Sequence, residues 1–216
     1  MLGEPFDPRA DYAVEHARRP HWSQANTVVF LTIRTKDSIP SEVIKRWERE
    51  KNDWLDCRVD RKGRSWREVL PNLEPRIRQA FQRHFNRCRE VCLDRCHGDC
   101  VLRSRTIAEI VAKSLLHFDG SRYEMGDFVI MPNHVHLLAT FPTERDMRKQ
   151  AASWMRFTAR QINVRLGTSG HFWQQEPFDH LVRSSEQYEM LRNYIADNPK
   201  KAGLTTGNFL HHRRED

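Results

Sequence analysis

Apolar positions along the chain change their repeat several times, and each change predicts an element. Asn26-Thr-Val-Val-Phe-Leu-Thr-Ile-Arg-Thr35 is dense in β-branched residues and reads as a first strand. Ile107, Ile110, Val111 and Leu115 then recur at helical spacing, the stripe of a core-facing helix over 106–117. Residues 122–131 and 134–141 return to extended character, separated only by Pro132-Asn133, as a hairpin. Met147, Ala151, Trp154, Met155 and Ile162 mark one face of a long helix over 143–166. Phe178 to Arg183 is a short strand, and Ser184-Ser185-Glu186 opens a helix through Tyr188, Leu191, Tyr194 and Ile195. A residue before proline is pushed out of the helical region, so Asn198, preceding Pro199, is expected at the end of that helix with its amide free to turn towards a ligand.

The order β, α, β, β, α, β with a final helix predicts an α+β fold: a ferredoxin-like antiparallel sheet with helices packed on one face. The charged segment from about 37 to 105, with helices opening at Ser41 and Pro75 and a loop at 60–65, is a helical insertion after the first strand. The helix carrying Tyr194 is appended at the C-terminal side. A chain of 216 residues with 38% hydrophobic content suits one core. The expected organisation is a leader at 1–25, a single domain at 26–204 and a tail at 205–216, whose end, His211-His-Arg-Arg-Glu-Asp216, is expected to be disordered.

Charge adds a direction. Lys and Arg outnumber Asp and Glu by 36 to 29, the net charge is +7 and the pI near 9.4, which favours a polyanionic partner such as nucleic acid. No apolar run approaches the ~20 residues of a membrane span, and the start lacks a secretory pattern, so the expected setting is cytoplasmic with no membrane partner. Five cysteines fit reduced thiols. Cys88, Cys92, Cys96 and Cys100 recur every four residues, but on a helix the first and last would stand about 18 Å apart, too far for one ion. Small buried residues, or a local Cys96, His97 and Cys100 cluster, remain as readings.

Candidate chemistry begins with His134-Val135-His136. In a strand, residues i and i+2 share a face, so two imidazoles converge while Val135, Leu137 and Ala139 take the other side. That geometry suits a metal ion, although a hydrogen-bonded structural pair would carry the same spacing. Tyr194 and Asn198 place a phenol and an amide one turn apart, about 6 Å along a helix axis. Together these segments suggest a nuclease. Tyr194 could equally be a core residue on its apolar helix, and Tyr188 is the second candidate nucleophile; Asp179 and His180 are candidates for support of the site. Arg145, Lys149, Arg156 and Arg160 share one face of the long helix, and no acid interrupts the run between Asp146 and Glu176, so phosphate contact by these residues is expected.

Met131-Pro-Asn-His-Val-His-Leu-Leu, Phe172-Trp-Gln-Gln-Glu-Pro-Phe-Asp-His-Leu-Val-Arg183 and Tyr194-Ile-Ala-Asp-Asn-Pro-Lys-Lys-Ala-Gly-Leu204 resemble the three signature tracts of the REP-associated tyrosine transposases. These form a branch of the HUH single-tyrosine (IS200-like) transposases. The resemblance runs from about Asn26 to Leu204, with little in Lys36 to Ser104 beyond Cys100-Val-Leu-Arg. It implies that His134 and His136 hold a divalent ion, Mg or Mn, with Asn198 as third ligand, and that Tyr194 is the nucleophile. The sequence departs from many relatives in having Asn, not Gln, four residues after the tyrosine.

On that basis the expected function is metal-dependent endonuclease and strand-transferase action on single-stranded, hairpin-forming repeat DNA through a 5′-phosphotyrosine intermediate. The alternative is a domesticated, non-cleaving DNA-binding protein of the same fold. Relatives act as monomers or as homodimers. On ligand type alone the paired imidazoles favour Mn over Mg.

Overall fold

Strands whose two sides are both apolar need cover on both faces, and the computed structural model, which describes residues 1–16 and 20–215, supplies it. In chain order the elements are β1 (Ala13–His16), β2 (Pro20–Ser23), β3 (Val29–Arg34), α1 (Ser41–Asp56), α2 (Trp66–Val69), α3 (Pro75–Asp94), α4 (Arg105–Leu116), β4 (Glu124–Ile130), β5 (His134–Thr140), α5 (Asp146–Leu166), β6 (Phe178–Leu181), α6 (Ser185–Lys201) and β7 (Leu210–His212). A five-stranded antiparallel sheet has the order β6-β3-β5-β4-β7, and β1 pairs with β2 in a separate two-stranded sheet. Without β7, that order is the ferredoxin-like arrangement expected from the element sequence.

Alternation on the strands assigns the layers. Leu31, Ile33, Phe128, Ile130, Val135 and Leu137 point into a core closed by α4 and α5, through residues such as Val111, Leu115, Met147 and Trp154. Val28, Phe30, Val129, Met131 and Leu138 point the other way, onto Tyr188 and Ile195 of α6. Met125 and Phe128 both face the first core although three residues apart, because a bulge in β4 between them absorbs the extra residue. Gly126 sits in that bulge, where an added Cβ would fall 3.1 Å from the Leu138 carbonyl oxygen.

Two compact units make up the chain: Met1–Lys36 with Asp99–Asp216, and Asp37–Gly98 between them in sequence. The sheet unit includes Leu102, fully buried in the α4 and α5 core. Within the inserted unit, Leu55, Phe81 and Phe85 pack with Trp54 and Trp66, while Ile39, Cys92 and Leu93 pack with Val43 and Trp47. α1 and α3 start at the expected Ser41 and Pro75. The one-turn α2 between them leaves no periodic stripe in the sequence; its Ser65 and Glu68 form a reciprocal cap that needs only four residues.

The leader supplies β1 and β2 and is tied on by Phe6 N–H to the Val182 carbonyl at 2.7 Å; its residues 17–19 lie outside the described residues. Two expectations are corrected. The tail is not disordered over 210–215: β7 pairs with β4, and the Arg214 guanidinium bonds the Met125 carbonyl and Glu124, each at 2.7 Å. Asp216 lies outside the described residues. Finally, Pro199 does not end the tyrosine helix, which runs on to Lys201. Proline removes one N–H and so one helical bond, but near a C-terminus that loss is small; the Asn198 carbonyl still accepts from Ala202 N–H at 3.0 Å.

Candidate active site

β5 sends His134 and His136 to the α6 side of the sheet, and both rings are pinned through Nδ1. His134 Nδ1 lies 2.7 Å from Asn133 Oδ1, and His136 Nδ1 lies 2.9 Å from Thr32 Oγ1. An amide oxygen only accepts, so the His134 proton sits on Nδ1 and the Nε2 lone pair is left to face outwards. Thr32 stands directly opposite His136 in the β3–β5 register, which is why it reaches that ring. The two ring centroids are 4.6 Å apart.

His134, His136 and Asn198 are 0%, 2% and 0% exposed. Burial pushes the His134 imidazole down to about 3, the nearby Asn198 amide opposing this and the Arg34 charge assisting it. Burial, then the neighbouring His134, holds His136 well below the ordinary histidine range. Both rings are therefore neutral at physiological pH, the form in which imidazole donates to a metal. Asn198 is near enough to His134 to favour its charged form, yet among the described residues neither amide heteroatom nor His134 Nε2 makes a hydrogen bond of ordinary geometry. Buried polar atoms left this way cost stability unless a ligand meets them.

α6 brings the fourth group. Ser184 caps its N-terminus by accepting from Gln187 N–H at 3.2 Å, and Ile195 anchors the helix in the second core. Tyr194 Oη then lies 3.4 Å from His136 Nε2. Phe30 stacks on His136 at 5.3 Å and meets the Tyr194 ring edge-on at 6.0 Å, fixing both. Lys201 Nζ stands 4.9 Å from the Tyr194 ring centroid. Asp127, buried in β4, ties the helix to the sheet: Oδ2 accepts from Arg192 Nε at 3.1 Å and Oδ1 from Arg214 N–H at 2.9 Å.

The structure thus gathers His134, His136, Tyr194 and Asn198 in one place. Tyr188 is instead core, 3% exposed beneath the helix. Asp179 engages His21, and His180 accepts from Gln187 Nε2 at 2.8 Å. The basic residues lie elsewhere: α5 covers the opposite face of the sheet, with Arg145, Lys149, Arg156 and Arg160 all exposed on it or at its start. Lys149 borders a depression with Arg122, whereas Arg156 and Arg160 line a groove against the 168–177 loop. Thr32, Phe30, Asn133, Asp127 and Lys201 carry no signal of their own in the sequence pattern. Asn133 is open to notice, being next to the histidines in a turn, but Thr32 is linked to them only by strand register.

Among the described residues no group of three or more His, Cys, Asp or Glu side chains is placed to hold a metal ion, and no helix is long and apolar enough to cross a membrane. A pair of imidazoles completed by an amide falls outside that description.

Residues 104–198, which contain both histidines, the tyrosine and the asparagine, match the family model described as Transposase IS200 like. The match makes this stretch similar to IS200-like transposases; it begins at the threshold of α4 and ends at Asn198, leaving out β3 and the inserted unit. One solved structure, the REP-associated tyrosine transposase bound to a REP hairpin, is similar with a TM-score of 0.48 and 15% identity, over 88% of this chain and 76% of that one. No curated protein matches the chain.

Proposed function

We propose that the protein is a metal-dependent single-stranded DNA endonuclease and strand transferase, working on hairpin-forming DNA through Tyr194. The observation that carries this reading is the 3.4 Å approach of Tyr194 Oη to His136 Nε2 beside the buried, unmatched His134 Nε2 and Asn198 amide. His134, His136 and Asn198 fit a divalent cation in donor type, being two neutral imidazoles and an amide oxygen. A Mg or Mn ion held there would neutralise charge on the scissile phosphate.

The remaining chemistry belongs to the side chains. A phenol with a pKa near ~10 is a weak nucleophile at neutral pH and needs to be held in line with its target. Phe30 and the α6 backbone hold it, and the Lys201 ammonium places positive charge beside the ring on which negative charge builds. Attack by Tyr194 Oη forms a bond to phosphorus and breaks the bond to the 3′ oxygen; the phenolic proton passes to solvent, and the departing 3′ oxygen takes one from solvent. The products are a 5′-phosphotyrosine and a free 3′-hydroxyl. Because one phosphodiester is exchanged for another ester, the hydroxyl can later reverse the step and join strands without an external energy source. Arg145, Lys149, Arg156 and Arg160 contribute phosphate contacts from the far side of the sheet, so a bound strand would pass around the sheet edge to use both.

The test is incubation of the protein with labelled hairpin DNA from the genomic repeats flanking its gene, in both strand polarities, with Mg, Mn or EDTA. Metal-dependent nicking with a covalent protein adduct is expected, Mn being effective at lower concentration. Binding without nicking under every condition would favour the non-cleaving alternative and overturn the proposal.

A further inference from the structure

A groove of about 660 Å³ runs between α5 and the 168–177 loop, on the side of the sheet away from Tyr194. Its size falls within the roughly 300–1,000 Å³ of ligand-binding clefts. Small residues of α5, Ala152 and Ala159, leave room opposite Phe172, and Met155 completes an apolar lining. Arg156 and Arg160 stand on the exposed rim, and among the described residues neither makes an ion pair. Arg148, also in the lining, is already engaged by Glu15.

One further group in the lining is unusual. His21 is 3% exposed, its Nδ1 is held by Asp179, and among the described residues its Nε2 makes no hydrogen bond, the Glu176 carboxylate being 3.8 Å away. A buried imidazole nitrogen with no partner is costly in isolation and is satisfied by a ligand that brings a polar edge. The lining therefore offers an apolar slot, a polar atom at one end and two cations at the mouth. A nucleotide has the matching parts: a flat base with a polar edge, and a phosphate. An apolar peptide or lipid would use the slot and leave the arginines idle, whereas a duplex backbone would use the arginines and leave the slot empty.

We propose that this groove holds an unpaired nucleobase of a DNA strand, with Arg156 and Arg160 on its flanking phosphates, as a second contact separate from the tyrosine site. The proposal rests on the DNA-processing function proposed for the chain and names where that strand is gripped.

The test measures binding alone, in EDTA, to a labelled oligothymidylate and to an abasic strand of the same length. Wild-type protein is expected to prefer the strand with bases by roughly tenfold, the scale of a single base–aromatic contact. Ala152→Trp, at an exposed position, plugs the slot and abolishes the preference, and Ala152→Leu reduces it in part; circular dichroism verifies that both variants are folded. Arg156→Ala with Arg160→Ala weakens both strands alike and lowers the salt slope by about 0.7 for each phosphate no longer neutralised. A preference unchanged in the Ala152→Trp protein, or absent from the wild type, overturns the proposal. The nuclease reading is tested separately by adduct formation: a protein that prefers bases but forms no adduct refutes cleavage and keeps the groove, and one that forms adducts but shows no preference does the reverse.

Discussion

Tyr194 Oη and His136 Nε2 stand 3.4 Å apart although 58 residues separate them in sequence, one on a helix and the other on the strand beneath it. The contact requires two independent devices. β5 must alternate so that His136 faces α6, and α6 must be turned so that Ile195 is buried and Tyr194 is half-buried at the strand surface.

Asn198 carries a buried amide whose two heteroatoms make no hydrogen bond of ordinary geometry among the described residues. Replacing it with leucine, of similar volume, removes that penalty, so Asn198→Leu is expected to leave stability in EDTA unchanged or raise it by about 1 kcal/mol. The same variant should lose Mn binding. Urea denaturation and titration calorimetry check the pair of outcomes; a large loss of stability with full Mn affinity would show that the amide is structural.

His134 gives the protein an acid-sensitive component. Its pKa is pushed down to about 3 in the folded state from 6.5, so between those values the unfolded chain binds the extra proton. Stability from this group is intact above about 6.5 and is lost as pH falls towards about 3, at up to ~1.4 kcal/mol per pH unit. His134→Gln should flatten the metal-free stability profile between pH 6 and 4 by about one proton. Denaturation midpoints across that interval, compared with wild type, give the answer, and identical slopes would mean His134 is not held neutral.

Asp127 serves two donors at once, the Arg192 guanidinium on the tyrosine helix and the Arg214 backbone after β7. With 4% of its side chain exposed and 11% for Arg192, removing the carboxylate takes from a buried guanidinium its 3.1 Å partner and leaves the longer 3.8 Å approach of Glu189. Asp127→Ala is expected to cost about 3 kcal/mol and to reduce any Tyr194 adduct by loosening α6. Thermal unfolding measures the first effect and adduct yield at a temperature where the variant is folded measures the second.

Much of this arrangement is legible locally. The strand alternation around His134 and His136, the stripe of α5 and the serine cap of α6 are short-range patterns, and the structure follows each. What sequence does not reveal depends on register and tertiary docking. Thr32 reaches His136 because β3 and β5 align them, and Asp127 faces α6 because a bulge resets β4. The rule that a residue before proline leaves the helical region places Asn198 at a helix end. Burial of Ile195 and Pro199 outweighs that preference here, and the helix runs on to Lys201. The tail misleads for a similar reason, since its polar composition hides the ladder it forms with β4 and the ion pairs of Arg214. The basic face of α5 is legible as a charge pattern, but nothing in the pattern tells which side of the sheet it occupies.

The most direct measurement is covalent trapping of single-stranded hairpin DNA with Mn, followed by peptide mass spectrometry, in wild type and Tyr194→Phe. If Tyr194 is the nucleophile, wild type yields a phosphotyrosine-linked peptide containing it and the variant yields no adduct, with DNA affinity nearly the same in both. An adduct that persists in Tyr194→Phe, or one mapped to a different residue, would contradict it.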